Sequence, residues 1–377
     1  MKTLKLAVLT VILSLSWYAT VTAKQPFTVI IHDASQLARG VITFEVLTIG
    51  SDKNPGYAID NTGSVVTNYD SFRDVKKFGL GYTAINSTGS ALFLDYNFGI
   101  KSTVSANGGY EVDEHEFLAF ENGELWYLIY DERPPNASEI AAGVPMTATF
   151  VSTIIQAQND AGNTIFEWVD SEHLDVSQSL VNIANNRVDF CHGNSLALDF
   201  DNNVLLSCRN FGLIKIERSS GAVLWILAGN DNQFTGFTDI AYQHDFRPLL
   251  LERDTNTAER GIYGVFDDHE SRGLVLEINQ TSLVVTNTQV VTAGVETASF
   301  ITGSFEQLPN GNFVICWGSN ALWGATRDEP RLNDLAITEH NAAGDVLLEI
   351  HYPDPAFCYR ARKFTPVQGT LFPMVWQ

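Results

Sequence analysis

The chain has 377 residues, with 44 Asp and Glu against 23 Lys and Arg, for a formal net charge of -21. Its 45% hydrophobic and 11% aromatic content excludes a disordered or low-complexity chain, and its length allows a large core without disulfide staples. The acid excess argues against nucleic acid as a partner, because phosphate contact relies on clustered Lys and Arg.

In chain order, residues 1–23 read as a secretory signal peptide. Lys2 and Lys5 give a basic start, Leu6 to Leu15 a mostly apolar run, and Val21-Thr22-Ala23 a small-residue cleavage site. The run falls short of the ~20 apolar residues that span a bilayer, although an N-terminal membrane anchor stays open as the alternative. No later stretch is long and apolar enough to cross. The expectation is a secreted or secretory-lumen protein, without stable membrane insertion, whose residues 24–377 form a single domain.

Three Asn-x-Ser/Thr triplets at Asn86, Asn136 and Asn279 sit beside turn-like residues and are candidate glycosylation sites. Cys191, Cys208, Cys316 and Cys358 permit two disulfides in an oxidising compartment, among three pairings. Cys191 and Cys208 flank one expected hairpin and are the first choice for a pair; buried free thiols are the alternative. Their spacing matches no zinc motif, and no metal site is expected.

Short runs rich in Val, Ile, Leu, Phe and Thr recur between Asn-Gly, Asp-Asn and Ser-Gly turns, without sustained helical periodicity. The clearest phrase predicts strands at 195–200, 204–208, 213–217 and 222–227. Weaker versions span Tyr57–Phe98, His115–Trp168, Arg247–Val291 and Gly303–Ile350. A sixth unit is assembled from Phe27–Leu47 and the C-terminal Tyr359–Val375. Repeated four-stranded units predict an all-β, six-bladed β-propeller of antiparallel blades, its ring closed by N- and C-terminal strands.

The ordered phrases Arg39-Gly40-Val41-Ile42, Ile59-Asp60-Asn61-Thr62-Gly63 and Asp113-Glu114-His115-Glu116-Phe117 resemble the arylsulfotransferase family. So do Phe166-Glu167-Trp168, His192-Gly193-Asn194-Ser195, Gln243-His244-Asp245 and Phe266-Asp267-Asp268. The series continues through Ser271-Arg272-Gly273, Leu308-Pro309-Asn310-Gly311-Asn312 and Tyr359-Arg360, so it covers nearly all of the chain beyond the signal. It is closer to the eukaryotic, largely fungal-type branch than to the bacterial periplasmic enzymes. The resemblance implies a six-bladed propeller with an axial site, transferring sulfate from an aryl sulfate ester to a phenol with no diffusible cofactor. In the bacterial enzymes a histidine is transiently sulfated while other histidines and an arginine hold the sulfate.

Sulfuryl transfer needs donors for the sulfate oxygens, a nucleophile and a proton shuttle. Imidazole suits the last two near neutral pH, and a guanidinium fork suits the first. His244, His192 and Arg272 are therefore the candidate catalytic residues, with His115, Asn194, Asp268 and Thr302 as candidate substrate-binding residues. Each has a plainer reading: a loop hydrogen bond for His192, a solvated loop for His244, and a surface ion pair with Asp267, Asp268 or Glu270 for Arg272. His115 is either a channel residue or a charged-turn histidine, and Asn194 and Asp268 either fix ligands or cap turns. His269 is nearer a turn and less suited.

The stretch before Leu308 holds no histidine, and Thr302 stands where the bacterial enzymes carry the sulfated one. Either His244 or His192 takes over that role, or the chain binds sulfated or phenolic ligands without turnover. A calcium-dependent hydrolase using Asn194, Asp245 and Asp268 is the third reading. Trp168, Trp225, Trp317 and Trp323 are candidates to stack on a phenolic ligand, with Trp225 better suited to a blade core and Trp317 and Trp323 to the rim.

Overall fold

The computed structural model describes residues 25–48, 51, 54–70, 72–86, 89–236, 239–252, 255–295, 299–319, 334–353 and 355–366. The signal-like segment 1–23, Trp323 and Val375 lie outside the described residues. The described chain forms six antiparallel sheets of at least four strands each, with only short helical turns between them.

The turns explain the repeating phrase. Asp60, Asn86, Asp95, Asn159 and Asn341 each accept a hydrogen bond from the backbone N–H four residues on. An Asx side chain thereby closes the reversal and hands the chain back into an antiparallel partner. Runs such as Val204–Cys208 and Gly212–Ile216, buried on both faces, then pack against sheets on either side.

Blade one contains Val41–Glu45, Gly56–Ile59 and Val65–Tyr69, with the C-terminal Ala361–Phe364 as its inner strand. Blade two runs from the inner strand Phe72–Phe78 through Gly81–Asn86 and Ala91–Leu94 to Ile100–Val104. Blade three comprises Phe117–Ala119, Leu125–Arg133, Thr149–Gln158 and Thr164–Val169; the short Arg187–Asp189 pairs parallel to its third strand. Blade four is Gly193–Leu198, Val204–Cys208, Gly212–Ile216 and Val223–Leu227. Blade five is His244–Pro248, Arg260–Asp267, Arg272–Asn279 and Val284–Val291. Blade six is Ser304–Gln307, Phe313–Cys316, Leu335–His340 and Val346–His351, with the N-terminal Thr28–Ile31 added as a fifth, outer strand.

The six-bladed ring agrees with the sequence expectation, but two of its units are divided differently. Tyr57–Phe98 is not one blade: Gly56–Ile59 and Val65–Tyr69 close blade one, and Phe72–Phe78 opens blade two. The unit expected from Phe27–Leu47 and the C-terminal segment is found in part: Val41–Glu45 and Ala361–Phe364 share blade one, but Thr28–Ile31 does not. Thr28–Ile31 pairs with Val346–His351 of blade six, and Ala361–Phe364 pairs with Val41–Glu45 of blade one. The ring is therefore closed twice, once by each end of the chain.

The core is distributed rather than central, with a buried apolar cluster at each blade–blade interface. Trp126 and Leu128 of blade three meet Leu196 and Ile214 of blade four, and Leu205 of blade four meets Val265 of blade five. Phe266 meets Phe305 between blades five and six, and Ile337 and Leu348 meet Ile42 and Phe44 between six and one. Ala58 meets Tyr82 between one and two, and Ile85 meets Tyr127 between two and three. Packing against both neighbours buries sheet faces that a lone blade would expose. It leaves the polar ends of the inner strands free to gather on the axis.

Candidate active site

The inner strands run alike around the axis, so the residues that begin them collect at one mouth of the ring. Arg73, His115, His192, His244, Thr302 and Tyr359 all lie at or just before the start of an inner strand. Three of these are histidines, from the entries to blades three, four and five.

Each histidine has its Nδ1 against a carboxylate. His115 Nδ1 contacts Asp113, whose Oδ1 also accepts the His115 backbone N–H at 2.9 Å. His192 Nδ1 lies 2.7 Å from Asp189 Oδ2, and His244 Nδ1 lies 2.6 Å from Asp268 Oδ2. A carboxylate on Nδ1 fixes the ring and directs Nε2 to the opposite side. The His115 and His192 rings meet edge to face with centroids 5.1 Å apart. Tyr130 stacks on His115 at 5.2 Å, and Tyr359 packs against the same ring at 5.8 Å.

Local backbone chemistry holds His192. The Cys191–Cys208 disulfide immediately precedes it, and its backbone is left-handed at φ 54. Gly193 N–H donates to Thr153 Oγ1 at 3.0 Å, and a Cβ on Gly193 would lie 2.5 Å from Thr153 Cγ2. Only glycine allows the chain to turn against blade three at this point. The same pairing brings Arg209 alongside, its N–H donating to the His192 carbonyl at 3.0 Å.

The three imidazoles differ in charge. Burial pushes His192 below its ordinary range despite Asp189. Burial opposes the charge on Asp189, but the His192 hydrogen bond together with nearby positive charge, Arg187 and His115 included, holds it ionised below its own range. His192 is thus a neutral ring donating Nδ1–H to a carboxylate, with the Nε2 lone pair open. Burial, reinforced by the charges of Arg209 and His115, pushes His244 much further down, so it too is neutral. Burial also raises Asp268, with Ser299 Oγ donating to it at 3.0 Å. His115 goes the other way: burial opposes its charge, but the Asp113 and Glu114 carboxylates hold it above its ordinary range.

Two guanidiniums lie at this mouth: Arg73 ion-pairs with Glu114 at 3.1 Å, whereas Arg209 takes other partners. Among the described residues its side chain meets the Phe300 carbonyl at 2.8 Å, the Asn210 amide oxygen at 3.3 Å and the Tyr242 ring at 4.7 Å. None of these is a carboxylate. Below the histidines the channel is filled by ion pairs. Arg360 bonds Asp74 and Glu116 at 2.9 and 3.0 Å, Arg362 bonds Asp74 and Asp245, and Arg247 bonds Glu116 and Asp245. Lys76 lies 2.6 Å from both Asp74 and Glu116. Four cations thus surround three carboxylates, and although burial opposes it they hold Asp74 and Asp245 ionised well below the usual range. Burial pushes the adjacent Glu306 upward, toward its neutral form. The floor of the mouth is therefore biased positive in a chain of net charge -21. An open cleft of about 510 Å³ beside Phe78, Phe93 and Phe120 holds none of the histidines.

The other residues expected from sequence are placed as follows. Arg272 Nε ion-pairs with Asp267 at 3.0 Å, and its Nη2 donates to the Asp239 carbonyl at 3.0 Å. Asn194 is buried beneath the mouth; its Nδ2 donates to the Gln243 carbonyl, and among the described residues its Oδ1 has no hydrogen-bond partner. Thr302 has a left-handed backbone at φ 65 and donates its hydroxyl to the Cys358 carbonyl at 2.9 Å. Asp268, not the sequence neighbour Asp245, orients His244; Asp245 points to Arg247 and Arg362. Of the oxygens in a calcium reading, those of Asp268 and Asp245 are thus engaged by imidazole and guanidinium, and only that of Asn194 is left over. Among the described residues no group of three or more His, Cys, Asp or Glu is arranged to hold a metal ion. His269 is half exposed beside Glu270.

The tryptophans correct part of the sequence reading. Trp168 is buried with Nε1 on the Gly221 carbonyl, and Trp317 is core rather than rim, with Nε1 on Thr338. Both were drawn inward because the blade interfaces need large apolar side chains. Trp225 is buried between blades four and five. The Asn86 and Asn279 side chains close turns, and Asn136 caps the short helix Ala137–Ala142.

Sequence reasoning missed Asp113, Asp189, Arg209, Tyr130 and Tyr359. Two signals were available: each of Asp113 and Asp189 lies within three residues of its histidine, and a Cys191–Cys208 pair carries Arg209 to the side of His192.

Six sheets in a doubly closed ring, with a histidine-rich site at one axial mouth, define a six-bladed β-propeller. The family model described as Arylsulfotransferase (ASST) matches residues 60–331, and the chain belongs to that family. No curated protein matches it. Among solved structures, BamB from Moraxella catarrhalis is similar at 12% identity over 83% of this chain and 82% of its own, with a TM-score of 0.35. The WD40 β-propeller domain of Doa1 is similar at 10% identity over 76% and 92%, with a TM-score of 0.38. A Synechocystis apocarotenoid oxygenase mutant is similar at 9% identity over 86% and 80%, with a TM-score of 0.41. Likeness at this level carries nothing about activity.

Proposed function

We propose that this protein is a sulfotransferase that moves a sulfuryl group from an aryl sulfate ester to a phenol through an imidazole of the mouth. Family membership supports the reaction class. The observation that carries the residue assignment is the meeting of three histidine–carboxylate pairs from successive blades beside Arg209, which has no carboxylate partner among the described residues.

In this reading Arg209 and protonated His115 take the sulfate oxygens, where charge develops in the transition state. The His192 Nε2 lone pair attacks sulfur, the sulfur–aryl oxygen bond breaks, and His115 gives its proton to the departing phenolate. An acceptor phenol then returns a proton to His115 as its oxygen attacks sulfur, and the N–S electron pair goes back to His192. His244, neutral and more deeply buried, lines the same pocket. Arg272 is the alternative sulfate clamp, and Asn194 and Thr302 flank the ligand.

One observation favours a second reading, a propeller that binds such ligands without turnover. Thr302, at the place of the bacterial nucleophile, gives its hydroxyl to Cys358. The test is incubation of the purified chain with an aryl sulfate and a phenol. Transfer that falls on the order of 10³-fold in His192→Ala and ~10²-fold or more in Arg209→Ala is expected. Binding of the aryl sulfate with no transfer overturns the catalytic reading in favour of the second. Transfer lost in Arg272→Ala but kept in Arg209→Ala moves the clamp to Arg272.

Export, glycosylation at Asn86, Asn136 and Asn279, and membership of the fungal-type branch belong to the same proposal. The Cys191–Cys208 disulfide supports export, since such bonds persist in oxidising compartments. Among the described residues no helix is long and apolar enough to cross a membrane.

A further inference from the structure

Cys316 ends the strand Phe313–Cys316 of blade six, and Cys358 lies just ahead of the inner strand Ala361–Phe364 of blade one. Both are thiols, wholly buried in the cluster that joins those two blades. The two thiols are close enough to act on each other within that cluster. The backbones around them are also tied: Thr302 Oγ1 donates to the Cys358 carbonyl at 2.9 Å, and Gly303 N–H to the Tyr359 carbonyl at 3.1 Å. Ser304 pairs with Cys316 across the first two strands of blade six, and its Oγ accepts the Ala361 N–H at 3.1 Å.

We propose that Cys316 and Cys358 are a second disulfide site, oxidised as the chain folds, which covalently locks the seam where the C-terminal strand closes the ring. The balance is that of thiol–disulfide exchange. One thiolate attacks an external disulfide, small-molecule or protein, and releases one of its sulfurs as a thiol. The second cysteine then displaces the other from the mixed disulfide. The two cysteines lose two protons and two electrons, and the external disulfide is reduced to two thiols.

The fold also sets the timing. Burial raises the Cys358 thiol well above its ordinary value, so in the closed ring it is protonated and unreactive. Exchange therefore belongs to the stage before blade six docks on blade one, and the finished bond is sealed from reductants. The bond has a second consequence at the mouth, because Cys358 adjoins Tyr359, whose ring packs against His115. Locking the seam anchors that wall of the site. The inference does not depend on sulfuryl transfer.

The test uses the full chain refolded in a glutathione buffer, with the oxidised form raised until the Cys191–Cys208 bond is complete. The product is denatured in an alkylating agent without reductant, digested and read by mass spectrometry. The expected result is a cross-linked peptide pair through Cys316 and Cys358, with neither alkylated, and an alkylated Cys316 in Cys358→Ala. Alkylation of both cysteines beside the complete Cys191–Cys208 bond overturns the proposal, as does pairing of either with Cys191 or Cys208. A native chain kept in reductant is expected to retain the cross-link while the denatured chain loses it.

Discussion

At the scale of single residues, burial and carboxylates compete at three similar histidines: burial prevails at His192 and His244, carboxylates at His115. Asp189 holds a neutral His192 by its Nδ1, whereas Asp113 and Glu114 keep His115 protonated. The sign of the pH dependence follows. His192 must be neutral to attack, and its folded value is depressed, so activity falls as pH drops through a point below the ordinary imidazole value of 6.5. His115 must be charged, and its value is raised, so activity falls again as pH rises through a point above 6.5. A bell-shaped rate profile is therefore expected. In Asp113→Asn the alkaline limb shifts to lower pH while the acid limb stays in place; a profile of kcat/KM against pH reads both. An unchanged alkaline limb would separate His115 from the proton transfer. The histidines were legible in the sequence because each sits in a polar phrase ahead of an apolar strand. Their carboxylates were less so, since Asp268 reaches His244 only across the Arg260–Asp267 and Arg272–Asn279 hairpin.

Elements matter through the way strand entries are pinned. The Cys191–Cys208 bond and the Gly193–Thr153 contact clamp the first strand of blade four to its second strand and to blade three. Replacing Gly193 by Val drives a branched side chain into Thr153 and Leu206. It is expected to cost about 1–3 kcal/mol in chemical denaturation, as overpacking does, and to reduce transfer beyond the loss of folded protein. Full activity in Gly193→Val would mean that His192 needs no such clamp. Strand phrases and Asx turns made these elements readable; the four strands of blade four lie within two residues of the expected limits. What the sequence left ambiguous was the phase. In a ring of like strands any four consecutive ones read as a blade, and the true grouping depends on where the termini dock. That is why Tyr57–Phe98 straddles two blades, and why Trp317, beside glycine, is core rather than rim.

For the whole molecule, stability comes from interfaces repeated around the ring. Trp126 lies wholly buried between blades three and four, with the Phe166 ring at 5.2 Å and the Arg218 guanidinium at 5.0 Å. Trp126→Ala is expected to lose about 3–5 kcal/mol, seen as a lower denaturation midpoint. The pH response of stability has its own marker at the closing blade. Burial pushes the Glu45 carboxyl up to about 8 from its ordinary 4.5; it accepts the Asp74 N–H through Oε1, and among the described residues its Oε2 has no hydrogen-bond partner. A raised folded-state value means its contribution is present in full at low pH and is lost as pH rises from about 4.5 to about 8. Glu45→Gln removes that titration, so its melting temperature relative to the parent chain is expected to rise between pH 5 and pH 9; a constant difference would show that Glu45 does not titrate there.

Whether an imidazole held by a carboxylate takes up the sulfuryl group is read by rapid mixing with an aryl sulfate in the absence of acceptor. The expected result is a burst of about one phenolate per chain, absent in His192→Ala and giving way to continuous turnover in the parent chain when a phenol is added. A full burst in His192→Ala, or no phenolate from the parent chain with or without acceptor, would contradict it.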